Sequence, residues 1–278
     1  MPRLHFTCAY DGSHFLGWQS QRGKGTVQDC LEDAFAAILR GPLRIAAAGR
    51  TDAGVHALAQ SFHADIPESC RMSPENWQAA LNARLPQAVR ILAVRRAEPG
   101  FHARFSAVGK YYDYLICRAP VLSPFLAGRA WHLPRAGETE RLAAALRLYE
   151  GEHDFRRLSA RRGTEPAEPP PGYYHRRILS AEVCDEGDLL RLRFHGTGFM
   201  YRMVRLLVGT AQRVAAGKMS LEQLGAYMSD IPGETTRFCA PADGLYLRAV
   251  EYAPVETPEE THEEKSAEPT GKRASSGD

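Results

Sequence analysis

Gly49-Arg50-Thr51-Asp52-Ala53-Gly54-Val55-His56 sets a carboxylate, a guanidinium and two glycines within eight residues, directly after the apolar run 43–48. Backbone freedom at Gly49 and Gly54 predicts a sharp turn that presents Asp52 from a tight loop. A loop aspartate ordinarily accepts backbone hydrogen bonds, so Asp52 reads equally as cap, salt-bridge partner or reacting group until its neighbours are known. Its compression between Arg50 and His56 favours an ionised carboxylate aimed at an electrophilic carbon. Arg50 suits either a structural pair with Asp52 or a contact to phosphate, and His56 either a proton shuttle or a polar structural contact.

Outward from this loop, strand and helix patterns alternate irregularly. Residues 4–10 read as a strand closed by the turn pair Asp11-Gly12, and 12–25 as a glycine-rich loop holding Phe15 and Trp18. Thr26 can cap a helix to about Leu39, with Asp29 three positions on resembling a weaker capping box and Val27, Leu31, Ala34, Phe35 and Ile38 as its apolar stripe. Residues 43–48, 57–64 and 89–94 read as strands, and Ser73-Pro74 starts a helix that Pro86 stops after Leu85.

In the second half, 110–118 is a strand with Tyr112 and Tyr114 on one face and Tyr111 and Asp113 on the other. A helix follows over 138–149, then a proline-rich loop over 163–172. Strands over 176–184 and 188–195 form a hairpin, helices follow over 199–216 and from Ser220, and 245–252 is a late strand. This order predicts an α+β or mixed-sheet enzyme and not a barrel, solenoid or coiled coil. The expected division is 1–107 carrying the Asp52 loop, 108–253 completing the site, and a disordered acidic tail over 254–278.

The 278 residues are 44% apolar and 24% charged, as in a soluble globular protein. The net charge of +2 conceals an asymmetry, because Pro254 to Asp278 holds seven acidic and three basic residues. The preceding body carries 32 Lys and Arg against 26 Asp and Glu, and only three of those cations are lysine. Arginine's planar fork suits phosphate and base stacking, although a modest excess of this kind also fits ordinary solvated faces. Cysteines 8, 30, 70, 117, 184 and 239 form no close pair, and no HExxH or Cys/His spacing marks a metal. P-loop and dinucleotide-binding fingerprints are missing, so the reading is chemistry by side chains, with no cofactor and no metal. With no secretory segment and no run of membrane-spanning length, a reducing cytoplasmic setting is expected.

Two further residues carry candidate chemistry. Tyr112 offers a ring for stacking on a base and a phenol for proton transfer, although a strand tyrosine is ordinarily core. Arg205 lies beside the apolar side of its helix, where it needs a partner such as Asp52 or must reach along the helix to solvent.

At these residues the chain resembles the TruA-type tRNA pseudouridine synthases, over nearly all of residues 3–252. The Gly49-to-His56 stretch matches that family's catalytic loop. Tyr10-Asp11-Gly12, Gly17-Trp18-Gln19, Thr26-Val27-Gln28, Asn82-Ala83-Arg84-Leu85-Pro86, Phe101-His102-Ala103-Arg104-Phe105-Ser106-Ala107, Met203-Val204-Arg205 with Gly209, and Gly244-Leu245-Tyr246-Leu247 follow in order. The resemblance implies a pseudouridine-synthase-like, largely antiparallel mixed sheet flanked by helices, with a central RNA-binding cleft. It implies Asp52 as the essential catalytic residue, Tyr112 stacked on the target uracil, and Arg205 paired with the carboxylate. Arg50 is expected to hold the RNA with its nucleotide flipped out, and Thr51, His56, Tyr112 and Leu245 to contact substrate. The implied partners are the tRNA anticodon stem-loop, with targets at positions 38 to 40, and a second copy of the chain in a homodimer, with no membrane.

Three routes stay open for Asp52: attack at C1′, deprotonation at C2′ to a glycal, or attack at uracil C6. Thr197, where the family commonly has asparagine, and the proline-rich loop depart from the pattern and bear on loop geometry and target choice. The competing readings are an inactive tRNA-binding module, drawn from the arginines and aromatic loops, and an RNA N-glycoside hydrolase using Asp52.

Overall fold

The computed structural model describes residues 1–163, 165–229 and 233–253, so the acidic tail and its expected disorder lie outside the described residues. The strands are β1 (Arg3–Tyr10), β2 (Ile45–Ala47), β3 (His56–Asp65), β4 (Val89–Arg96), β5 (Ala107–Cys117), β6 (Trp131–His132), β7 (Gly151–Asp154), β8 (His175–Glu186), β9 (Leu189–Gly196) and β10 (Leu245–Tyr252). The helices are α1 (Val27–Leu39), α2 (Pro74–Asn82), α3 (Thr139–Arg147), α4 (Met203–Ala215) and α5 (Leu221–Gly225).

Local chemistry sets the helix starts. Thr26 accepts from the Asp29 N–H while the Asp29 side chain accepts from the Thr26 N–H, and Ser220 with Gln223 repeats the arrangement at α5. Ser73 caps α2 with proline in its first turn. Two expected helix ends move. α2 stops at Asn82, whose side chain pairs with the backbone N–H and C=O of Ile91 at 2.8 and 2.9 Å. α4 starts at Met203 and not Phe199, because Arg202 is left-handed at φ 57° and leaves residues 199–202 irregular.

All ten strands join one sheet, in the order β4-β1-β3-β10-β5-β9-β8-β7, with β2 on β3 and β6 on β5. The sheet is mixed and largely antiparallel, with parallel pairing at β10–β3 and β5–β6. The decisive step is the last strand. β10 inserts between β3 and β5, opposing Tyr246 to His56 and Leu247 to Tyr112. It thereby ties the Asp52-bearing half to the Tyr112-bearing half along a single seam.

Strand alternation sorts β5 as expected: Tyr112 and Tyr114 are buried, whereas Tyr111 stacks on His195 at 3.9 Å on the opposite face. Under the first half, Phe6, Phe35, Phe62 and Trp77 pack together, with Phe6 stacked on Phe62 at 4.8 Å. Under the second, Tyr149, Phe155 and Phe194 are fully buried in the same core. Burial of rings this large dominates the stabilisation of both halves. The short strands β6 and β7 were not expected, since each is defined by a distant partner and carries no alternation of its own.

Candidate active site

Leaving β2, the chain runs over the sheet as a loop whose backbone is held from several sides. Lys110 Nζ donates to the Ala48 carbonyl at 2.9 Å and Gln60 Nε2 to that of Gly49 at 3.0 Å. The Trp18 N–H donates to the Thr51 carbonyl at 3.1 Å, and Val55 N–H closes the turn on the Asp52 carbonyl at 3.2 Å. Thr51 is buried, its hydroxyl 2.8 Å from the Tyr10 hydroxyl. Gly54 turns the chain at φ 79°, as expected, whereas Gly49 is not left-handed. A third glycine matters more than Gly49. A Cβ on Gly12 would sit 2.0 Å from the Val55 carbonyl oxygen, so that only glycine lets the 10–18 segment lie against the loop.

This scaffold points the Asp52 side chain into a cleft of about 390 Å³. Asp52 Oδ2 accepts from Arg205 Nη1 at 3.1 Å, with Arg202 Nε at 3.9 Å. Their side chains are little exposed, 18% for Asp52 and 14% for Arg205. Arg205 is itself anchored, since its Nε donates to the Ala240 carbonyl at 2.8 Å while the Ala240 N–H donates back to the Arg205 carbonyl. A fixed guanidinium beside a poorly solvated carboxylate pairs with it and orients it. Tyr112 lies beneath, 8% exposed, with Phe199 edge-on at 5.1 Å. Burial, then the charge of Asp52, raises the Tyr112 phenol well above its ordinary range, so the hydroxyl keeps its proton.

The cleft walls are cationic. Arg50, Arg104, Lys110, Arg162 and Arg202 line it, and Asp52 is the one carboxylate among the described lining residues. Burial of these charges, with their crowding, leaves a signature. Burial lowers the Lys110 pKa to about 8, with Arg104 and Arg176 adding repulsion, and burial followed by Arg162 and Arg104 lowers that of Arg50. Tyr201 at the lip packs against both Arg162 and Arg202, at 4.6 and 5.1 Å from its ring centre. Among the described residues no group of three or more His, Cys, Asp or Glu side chains is placed to hold a metal ion.

Of the residues singled out from sequence, Arg50, Thr51, Asp52, Tyr112 and Leu245 line this cleft, and Arg205 reaches Asp52 from behind it. His56 is not brought to it. Its ring is 3% exposed and stacked on Tyr246, with Nδ1 accepting from the Gly12 N–H and Nε2 bonded to the Gly128 carbonyl. Burial lowers its pKa despite the nearby Asp11. Both ring nitrogens are occupied by backbone, which leaves none free to meet a substrate. Arg104, Lys110, Arg162, Arg202 and Phe199 were not singled out as site residues. Lys110 had one available signal, as one of three lysines in an arginine-rich body.

A family model described as tRNA pseudouridine synthase matches residues 7–106 and 145–253, segments that contain Asp52, Arg104 and Arg205. The chain belongs to the TruA-type tRNA pseudouridine synthase family. It is 50% identical over 266 residues to the tRNA pseudouridine synthase A of Akkermansia muciniphila, covering 95% of this chain and 98% of that protein. The proteins of the same name from Methylacidiphilum infernorum and Geobacillus kaustophilus are each 40% identical, over 248 and 253 residues. They cover 89% and 90% of this chain and 94% of their own length in both cases. Tyr112 and Lys110 fall between the two segments of the pseudouridine synthase match, within the span of these relatives.

Proposed function

We propose that this protein converts uridine to pseudouridine in the anticodon arm of tRNA, at positions 38 to 40, with Asp52 as the essential catalytic group. The observation that carries the reading is one carboxylate among the described lining residues, paired with an anchored arginine, in a cleft that five cations also line. The cations compensate backbone phosphates, and extrusion of the target nucleotide brings C1′ and the base within reach of groups that a stacked helix would exclude. Arg50 holds the RNA with its nucleotide flipped, and Thr51 and Leu245 shape the cleft around it.

The N1–C1′ bond breaks, the freed uracil turns, and C5 bonds to C1′. A proton leaves C5 and one is taken up at N1, so composition is unchanged and neither oxidant nor cofactor is consumed. Tyr112 serves twice here: its ring retains the detached uracil, and its protonated hydroxyl is available for proton exchange. Arg205 holds the Asp52 carboxylate in place and aimed. Residues 1–107 and 108–253 act as two halves, one bringing the loop and the other Tyr112 and Arg205. The active species is a homodimer that holds tRNA across both copies, and it works in the cytoplasm, in keeping with its free cysteines.

Site-resolved carbodiimide mapping after reaction with unmodified tRNA transcripts tests this directly. Pseudouridine at positions 38 to 40 is expected. Free uracil with an abasic ribose would instead mark an N-glycoside hydrolase, and saturable binding without product a binding module.

A further inference from the structure

The basic turn over residues 101–106 contributes His102, Arg104 and Phe105 to the cleft, yet it is an irregular connection between β4 and β5. Its internal bonds are local, from the Arg104 N–H to His102 Nδ1 at 3.1 Å and between His102 and Ser106. Its attachment to the sheet runs through a residue with no functional group. Ala103 is wholly buried, its N–H donates to His63 Nδ1 at 3.1 Å, and its carbonyl accepts from the Tyr252 hydroxyl at 2.8 Å. Arg3 adds a bond to the Phe101 carbonyl at 2.6 Å while its other nitrogens grip Asp65.

Behind Tyr252 the bonds continue across three strands, and the proton positions follow from the two ends. Arg95 has only donors, so its Nε–H, 2.8 Å away, makes His5 Nδ1 an acceptor. The His5 proton therefore sits on Nε2 and is donated to Ser61 Oγ at 2.6 Å. Ser61 in turn donates to the Tyr252 oxygen at 2.5 Å, which frees the Tyr252 proton for the Ala103 carbonyl, a pure acceptor. Each donor has one acceptor and no direction is left arbitrary. Burial lowers the pKa of both His5 and His63 to about 4, with Arg95 and Arg3 respectively adding repulsion. Both rings are therefore neutral at neutral pH, and the Arg95 and Ala103 N–H donors make Nδ1 the unprotonated nitrogen of each.

We propose that this chain, from Arg95 through His5 and Ser61 to Tyr252, together with His63, is a positioning device that fixes the Ala103 backbone and so aims Arg104 at the tRNA. Tyr252 and His63 are positioning residues, since neither lines the cleft. The device spans β1, β3, β4 and β10, which makes RNA grip depend on the insertion of the last strand between β3 and β5. The inference rests on the RNA-binding reading of the cleft.

Tyr252→Phe removes one hydroxyl and leaves the ring packed between His5 and Phe101. The expected result is a KM for tRNA raised about three- to tenfold, the scale of one buried hydrogen bond, with kcat within about twofold. The salt dependence of tRNA binding should flatten by about one phosphate contact, as in Arg104→Gln, and the double variant should be no worse than Arg104→Gln alone. Ser61→Ala, one step further back, should give a smaller shift of the same kind and supplies the test should Tyr252→Phe fail to fold. A purely structural role predicts a lower Tm with affinity and salt slope unaltered in the folded variants, and that result overturns the proposal. An Arg104→Gln enzyme with unaltered tRNA affinity overturns the underlying cleft reading. A weakened Arg104→Gln beside an unaltered Tyr252→Phe overturns the positioning device alone.

Discussion

Replacing Asp52 by Asn separates chemistry from architecture, because the tethers of its loop bypass its side chain. Lys110, Gln60, Trp18 and Val55 grip the backbone carbonyls of residues 48, 49, 51 and 52, so the loop keeps its path when the carboxylate becomes an amide. What is lost is the ionic contact with Arg205 at 3.1 Å. A charge-assisted hydrogen bond contributes about 1.5–3 kcal/mol net, and the low exposure of both side chains keeps it from being fully screened. The Tm should therefore fall by about 3–12 °C, on a scale of ~2–4 °C per kcal/mol for a domain of this size.

Product formation should fall far more, by about 10³-fold or more, since the essential reacting group is removed. Affinity for tRNA should hold or tighten, because the one anion in a cationic cleft has been neutralised. Single-turnover assays with carbodiimide mapping, run beside filter binding and thermal melts, read all three quantities. Wild-type product formation by D52N would sink the catalytic assignment. Loss of tRNA affinity in step with loss of activity would show that Asp52 organises the cleft instead of reacting in it.

Tyr112→Phe keeps the ring and removes the proton; single-turnover bond formation should slow about 10²-fold or more with tRNA affinity changed less than threefold, and a wild-type rate would confine Tyr112 to stacking. Lys110, its pKa lowered to about 8, is charged below that pH and neutral above it, so tRNA binding should weaken as pH rises from 7 to 9. Lys110→Arg should abolish that dependence, and an unchanged pH profile of binding in this variant would remove Lys110 from RNA contact. Gly12→Ala places a methyl 2.0 Å from the Val55 carbonyl oxygen and should cost about 3 kcal/mol or more by denaturant unfolding. A change below ~1 kcal/mol would mean that the loop yields freely.

The legible parts of the sequence were those decided by near neighbours. Thr26 with Asp29, Ser73 with Pro74 and Ser220 with Gln223 announce helix starts because a cap and its partner lie three residues apart or closer. The alternation around Tyr112 tells which side of β5 faces inward, since side chains in a strand must alternate. Where a distant contact intervened, the same reasoning slipped. The left-handed Arg202 shortened α4, and β6 and β7 owe their existence to β5 and β8. His56 looked like part of the site by adjacency, but it opens strand β3 after the turn at Gly54, with its ring buried and satisfied by the Gly12 and Gly128 backbone.

By itself, then, the sequence determined the Gly49-to-His56 turn, the secondary elements on either side of it, the mixed α+β class and, through its ordered motifs, the family. Turns, caps and alternation depend on a few adjacent residues, and so survive being read in one dimension. The tertiary structure alone decided that Arg205, 153 positions away, meets Asp52, that Arg104, Lys110, Arg162 and Arg202 line the same cleft as Arg50 and Asp52, and that Ala103 is held by strands β3 and β10. Those meetings depend on strand register and on β10 entering between β3 and β5, and a hydrogen-bonded register is a relation between remote segments that neither one encodes alone.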